Sequence, residues 1–416
     1  MAISQIVSDS IAPNSISANV ISSVSNTAIA GLINASQISS IANTQITGTI
    51  TAAQIVSVAN TAITGNIINS QIASVSNTAI TGVITSNQLV SSAQHVGFKN
   101  RLINGAMIID QRNAGAATTN AISGYTVDRW YVQQSTTGKL IVQQNAGSIT
   151  PPAGYTKYLG ITSQSAYSVA AGDFYTLFQV IEGNNIADLA WGTANAKTIT
   201  LSFQVYSSLT GTFGGSLRNS AGNRSYPFTY TISSASTWTT VSVTIAGDTS
   251  GTWATDNTAG IYVYFGLGVG TTYSGTAGAW AAGNYFSATG ATSVVGTNGA
   301  TFYITGVQFE TGSQATSFDF RSYPTEFAMC QRYYETGIGY ALGNAPAAGY
   351  YFGGPNGFRV TKRASPTVVL TTTNVYASSN LALGIAYVSG FNAYATSTSS
   401  SGLCETQGTY TASAEL

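Results

Sequence analysis

Along the amino-terminal part of the chain, large aliphatic residues return every 17 positions against a background of Ser, Thr, Asn and Ala. Val24-Ser25-Asn26-Thr27 is followed by Ile41-Ala42-Asn43-Thr44, then Val58-Ala59-Asn60-Thr61, then Val75-Ser76-Asn77-Thr78. Ile29, Ile46, Ile63 and Ile80 keep the same step, as do Gly31, Gly48, Gly65 and Gly82, and Ile33, Ile50, Ile67 and Ile84. Each unit closes on a Gln-aliphatic pair: Gln37-Ile38, Gln54-Ile55, Gln71-Ile72 and Gln88-Leu89. The four large aliphatic positions of one unit contribute about 6–12 kcal/mol if all are fully buried. Ordering a unit of 17 residues costs roughly 25 kcal/mol. One chain therefore does not stabilise this region from its own side chains. Between Ser10 and Phe98 there is also no Asp, Glu, Lys or Arg to mark a solvated outer face. The balance closes when identical chains share the buried aliphatics, and three chains wound about one axis enclose such a core without free sheet edges. The pattern predicts an intertwined homotrimeric rod over residues 1–97, its core built from Ile29, Ile33, Ile46, Ile50, Ile63, Ile67, Ile80 and Ile84. The alternative, a Ser/Thr/Asn-rich linker, has no reason to hold Ile in register. A coiled coil fits worse, because the aliphatic spacing (24, 29, 33, 38, 41) is not heptad and Gly recurs within each unit.

The pattern changes at Phe98. From there to residue 322, short alternating stretches divided by turn clusters predict a jelly-roll-like β-sandwich. Strands are expected at 139–143, 198–205, 239–245, 261–265 and 302–310, and Asn104-Gly105 reads as a tight turn. One helix is expected over 324–334. Pro324 stands near its start and Glu326 in its first turn; Phe327, Cys330, Gln331 and Tyr334 share one face, and Gly337 follows as a stop. Beyond the helix, 368–370 and 382–388 supply strands for a smaller β-rich tip, so that residues 323–416 form a third region. The fold class expected is all-β, an elongated fibre of rod, sandwich and tip.

Composition sharpens this picture. Charged residues are 7% of the 416, against 44 Gly, 24 Tyr and 16 Phe. Low charge with abundant aromatics suits packed β-structure and argues against disorder. Fourteen basic and fourteen acidic residues cancel without any basic run, so a nucleic-acid partner is not expected. No apolar stretch reaches the roughly 20 residues that span a bilayer, so no membrane insertion is expected, and residues 1–6 carry no secretory signal pattern. Cys330 and Cys404 can either pair or stand as two buried thiols, and thiols are the expectation, as in a protein made in a cytoplasm.

Two stretches carry a resemblance. Lys99-Asn100-Arg101-Leu102-Ile103-Asn104-Gly105-Ala106-Met107, with Gln111-Arg112 and Tyr125-Thr126-Val127-Asp128-Arg129-Trp130, resembles the opening of a domain in bacteriophage tail fibre proteins, many from marine and cyanobacterial phages. Val307-Gln308-Phe309-Glu310-Thr311-Gly312, with Phe318-Asp319-Phe320-Arg321 and Cys330-Gln331-Arg332-Tyr333-Tyr334-Glu335, resembles its close. The resemblance covers residues 98–336 and implies a virion component similar to carbohydrate-binding jelly rolls. It identifies no ligand and no catalytic residue. Read physically, the motifs are structural: Trp130 is expected in the core, flanked by an ion pair between Asp128 and Arg129.

Chemistry is sparse. Glycoside cleavage needs two carboxylates about 5–9.5 Å apart; Asp173, Glu182 and Asp188 form the closest acidic cluster and read as loop acids or, at most, calcium ligands. The sole histidine, His95, has no nucleophile motif beside it. No catalytic residue, metal site or cofactor is expected. The tip is rich in Tyr, Ser, Gly and Asn, the chemistry of adaptable recognition surfaces, and Tyr350, Tyr351, Phe391, Asn392 and Tyr394 are its ligand-binding candidates. The expected function is adsorption of a virion to host envelope polysaccharide or lipopolysaccharide by a homotrimeric tail fibre, whose amino-terminal end joins a phage tail or baseplate protein. The alternatives are a structural spacer or adaptor carrying another receptor-binding protein, a polysaccharide depolymerase, and a bacterial surface adhesin.

Overall fold

The computed structural model describes residues 98–118, 123–399 and 402–416. The repeat, the rod positions Ile29 to Ile84 and His95 lie outside the described residues. In chain order the first strands are β1 (Gly124–Tyr125), β2 (Tyr131–Gln134), β3 (Leu140–Gln144), β4 (Leu159–Ser163), β5 (Phe174–Glu182), β6 (Ile199–Ser207) and β7 (Gly211–Asn219). They continue with β8 (Ser225–Ile232), β9 (Thr239–Ile245), β10 (Ala259–Val269), β11 (Ser274–Gly275), β12 (Ser287–Ala288) and β13 (Thr301–Thr311). A helix, α1 (Tyr323–Gln331), leads to β14 (Tyr334–Ala345), β15 (Tyr351–Gly357), β16 (Thr367–Tyr376), β17 (Ala382–Tyr387), β18 (Gly390–Thr396) and β19 (Gly402–Ser413).

The architecture is all-β, with several antiparallel sheets and one α-helix among the described residues. A six-stranded sheet in the order β1-β2-β5-β10-β7-β8 faces a five-stranded sheet in the order β3-β4-β13-β6-β9. Alternation explains the pairing. In β6, Leu201, Phe203 and Val205 point inward between the more exposed Ser202, Gln204 and Tyr206. Phe203 meets Phe265 of the opposite sheet edge to face at 5.0 Å, the geometry that ring quadrupoles favour.

The opening motif at residues 99–107 is a clasp rather than a strand. Asn100 Nδ2 donates to the Val307 carbonyl at 2.9 Å, and its Oδ1 accepts from the amides of Leu102 and Phe309, both at 3.0 Å. Asn104 takes the left-handed conformation (φ 57°), which Asn tolerates better than most residues. Its side chain bonds Ile109 and the Asp128 carbonyl, while its own carbonyl accepts from the Trp130 indole at 3.0 Å. Gly105 follows because a Cβ there would lie 2.2 Å from the Val307 carbonyl oxygen. Trp130 is fully buried, as its sequence context implies.

The ion pair expected between Asp128 and Arg129 does not form. Arg129, at φ 74°, turns away and pairs with Glu415; it also donates to the Val180 carbonyl at 2.7 Å and lies 3.5 Å over the Tyr333 ring. Asp128 instead accepts from the amide and side chain of Gln111, with Arg112 at 3.6 Å. Burial raises the Asp128 carboxyl to about 6, against the opposing pull of Arg112 and Gln111. A raised carboxyl favours folding below its unfolded value near 4, and this contribution is lost as pH climbs through 6. Asp128→Asn should therefore gain on the parent protein by about 2 kcal/mol between pH 4 and pH 7, measured as urea-unfolding free energies at the two pH values. An unchanged difference would show that Asp128 is not protonated on folding.

The helix ends at Gln331, three residues before its expected end, and Gly337 lies within β14. The physical reason is pairing: Tyr334 is in register with Ser413, and Tyr333 turns in to donate its hydroxyl to Glu182 at 2.6 Å. Cys330 and Cys404 are free buried thiols, and burial pushes the Cys330 thiol well up. After the helix, two three-stranded sheets, β14-β19-β16 and β15-β18-β17, share a core of small residues (Ala341, Ala345, Ala393, Ala395, Ala412) around Phe352, Phe391 and Tyr410.

Candidate functional site

Strand periodicity decides which tip residues can touch a ligand. In β18, Phe391, Ala393 and Ala395 point into the core, while Asn392 and Tyr394 point out. In β15, Tyr351, Gly353 and Pro355 are exposed and Phe352 is buried. The antiparallel register sets Gly353 opposite Tyr394 and Pro355 opposite Asn392. The exposed residues of the two strands therefore share one face.

On that face lies a shallow groove of about 430 Å3, lined by Tyr351, Gly353, Gly354, Pro355, Asn392 and Tyr394 among others. The two tyrosine rings stand 5.9 Å apart at 71°. Beside this touching pair the floor is bare backbone at Gly353, which sits at φ 153°, where a Cβ would meet the Ala393 carbonyl oxygen at 2.1 Å. Two rings, a side-chain amide and unobstructed peptide groups, with no charged side chain in the lining, suit a neutral ligand with C–H faces to stack and hydroxyls to hydrogen-bond.

Of the five candidates from the sequence, Tyr351, Asn392 and Tyr394 come together in this groove. Tyr350 is exposed but precedes β15 and bonds Ser397 through its backbone; it is outside the lining. Phe391 is 1% exposed and packs against Tyr410 at 5.0 Å, so it holds the site's underside and cannot reach a ligand on the outer face. Gly353, Gly354 and Pro355 are lining residues that sequence reasoning missed. Their signal is the Gly353-Gly354-Pro355 run inside a strand, where Gly marks close backbone approach and Pro an edge.

The acidic cluster of the sandwich has structural work. Asp173 accepts from Ser135, Tyr167 and the Ala170 amide. Asp188 takes both arms of Arg101 at 2.7 Å. Glu182 accepts from Arg332 and Tyr333, each at 2.6 Å; burial pushes its carboxyl up, but these bonds outweigh burial and hold it below the usual range. Among the described residues no three His, Cys, Asp or Glu side chains are placed to hold a metal ion, and no helix is long and apolar enough to cross a membrane.

No protein-family model and no curated protein matches the sequence. Among solved structures, the chain is similar to the enzymatically active domain of tailspike protein 4 of bacteriophage CBA120, at 12% identity over 52% of this chain, with a TM-score of 0.29. That match spans only 22% of the tailspike chain. A family 11 carbohydrate-binding module from Clostridium thermocellum matches at 11% identity over 48% of this chain and 99% of its own, with a TM-score of 0.25. Discoidin II from Dictyostelium discoideum matches at 8% identity over 66% and 94%, with a TM-score of 0.16. Likenesses this distant carry no function over to this chain.

Proposed function

We propose that this protein is a bacteriophage tail-fibre subunit that attaches a virion to bacterial envelope glycan through the Tyr351–Tyr394 groove. One observation carries the glycan reading: two outward tyrosines, packed edge to face, stand beside a strand floor that admits no side chain at Gly353, with the Asn392 amide next to them. The fibre reading is supported by the charge-free 17-residue repeat, which calls for sister chains, and by the resemblance of residues 98–336. Three grooves on one trimer raise weak single-site binding into firm attachment.

The test is binding of the full chain to immobilised bacterial lipopolysaccharides and capsular polysaccharides, followed by interferometry. Tyr351→Ala and Tyr394→Ala should each weaken binding at least about tenfold, a loss of about 1.4 kcal/mol or more, with an unchanged circular dichroism spectrum. Phe391→Ala should behave differently and cost about 3–5 kcal/mol of stability. No binding to any envelope polysaccharide would favour the spacer reading, and release of new reducing ends would favour the depolymerase.

A further inference from the structure

Among the described residues, exposed large apolar side chains are concentrated after the helix. They include Ile338, Tyr340 and Leu342 of β14, Val369 and Tyr376 of β16, and Leu403 of β19, all at 45–62% exposure. Register gathers them on one face. Leu342 pairs with Glu405 and Glu405 with Tyr376; Tyr340 pairs with Gln407; Ile338 pairs with Thr409; Val369 pairs with Thr411. The opposite face of the same sheet carries Ala341, Cys404, Tyr410 and Ala412 into the small core. Several inward positions of this sheet are thus small, while large apolar side chains stand on its outer face.

We propose that the outer face of the β14-β19-β16 sheet is a contact surface between copies of this chain. The inference rests on the fibre reading above. Six half-exposed large side chains present on the order of 500 Å2 of apolar surface, comparable to the largest patch of a typical single chain, which is often functional. Glu405 is the only charged side chain among the outward positions of the three strands. A basic or acidic partner finds little to pair with there, and an anionic lipid surface finds no Lys or Arg. A second copy of the same uncharged face answers that chemistry. The patch falls short of the ~800 Å2 per partner of a self-sufficient interface, so it depends on residues upstream to hold copies together. The chain has such residues: the repeat, which by its own energetics needs sister chains, ends only at Leu89. Chains joined there face one another at high effective concentration, and a modest apolar face then suffices. The Tyr351–Tyr394 groove belongs to the other sheet of the tip and is left open to ligand.

Accessibility in the full chain tests this. Cys330 and Cys404 are buried, so an introduced surface thiol dominates labelling. Tyr340→Cys should react with a maleimide reagent at least tenfold more slowly than Gln314→Cys, an exposed loop position of the sandwich. Adding Leu403→Glu to Tyr340→Cys should restore the control rate. Equal rates for Tyr340→Cys and Gln314→Cys in a protein that sediments as a trimer would overturn the contact surface and leave the fibre reading standing. A monomeric mass at sedimentation equilibrium would overturn both.

Discussion

Glu335→Ala is expected to destabilise the protein by about 3–5 kcal/mol, the cost of stranding one member of a buried ion pair. Glu335 and Lys362 are both fully buried and 2.6 Å apart. Lys362 also donates to the carbonyls of Gln331 at 2.7 Å and Val360 at 2.9 Å. Glu335 accepts in addition from the Tyr410 hydroxyl at 2.6 Å and the Arg359 amide at 3.0 Å. Removing the carboxylate leaves an ammonium without a counter-charge and two donors without an acceptor. Glu335→Leu combined with Lys362→Met should recover much of the loss, since apolar replacements of a whole buried pair are often tolerated. Burial pushes the Glu335 carboxyl up, but its hydrogen bonds from Lys362, Tyr410 and Arg359 prevail and hold it low. The sign follows: a depressed carboxyl contributes stability above its unfolded value near 4.3 and loses it as pH falls through the folded value. Thermal unfolding between pH 7 and pH 3 should show the parent protein falling steeply below about pH 4, and the double variant falling less. Identical acid profiles would refute the assignment.

Arg129→Met is the second large effect expected, also about 3–5 kcal/mol. The guanidinium pairs with Glu415, bonds the Val180 carbonyl, and stacks on Tyr333. Glu415 keeps only Arg112, at 2.9 Å, when Arg129 is gone. Arg129→Lys should restore less than half of the loss, because a point charge reproduces neither the fork nor the stacking. Chemical denaturation of the three proteins checks this; equal stability of Met and Lys variants with the parent would mean that the joint is held elsewhere.

Much of the sandwich is legible in the sequence because alternation is local. The stretch 239–245 coincides with β9, and 302–310 lies within β13. The same rule, applied to Gly390–Thr396, separates Asn392 and Tyr394 from Phe391; composition alone groups all three as recognition residues. What local pattern does not carry is partnership over distance. Asp128 and Arg129 read as a pair because they adjoin, yet the left-handed backbone at Arg129 sends the two side chains apart, and the true partner stands 286 positions away. Likewise no local pattern marks Lys362 as the buried partner of Glu335, whose other oxygen accepts from Tyr410 of β19.

The clasp at residues 100–104 has a kinetic corollary. Its partners are Val307, Glu326 and Arg321, separated by 207, 222 and 221 positions along the chain. Contacts of such long range are made late, since loop closure must precede them. A ribosome-bound chain carrying only the first sheet strands thus holds the Asn100 side chain without Val307 and Phe309, and the Asn104 amide without Glu326. Refolding is accordingly expected to be slow, limited by the meeting of two distant segments rather than by formation of any one hairpin.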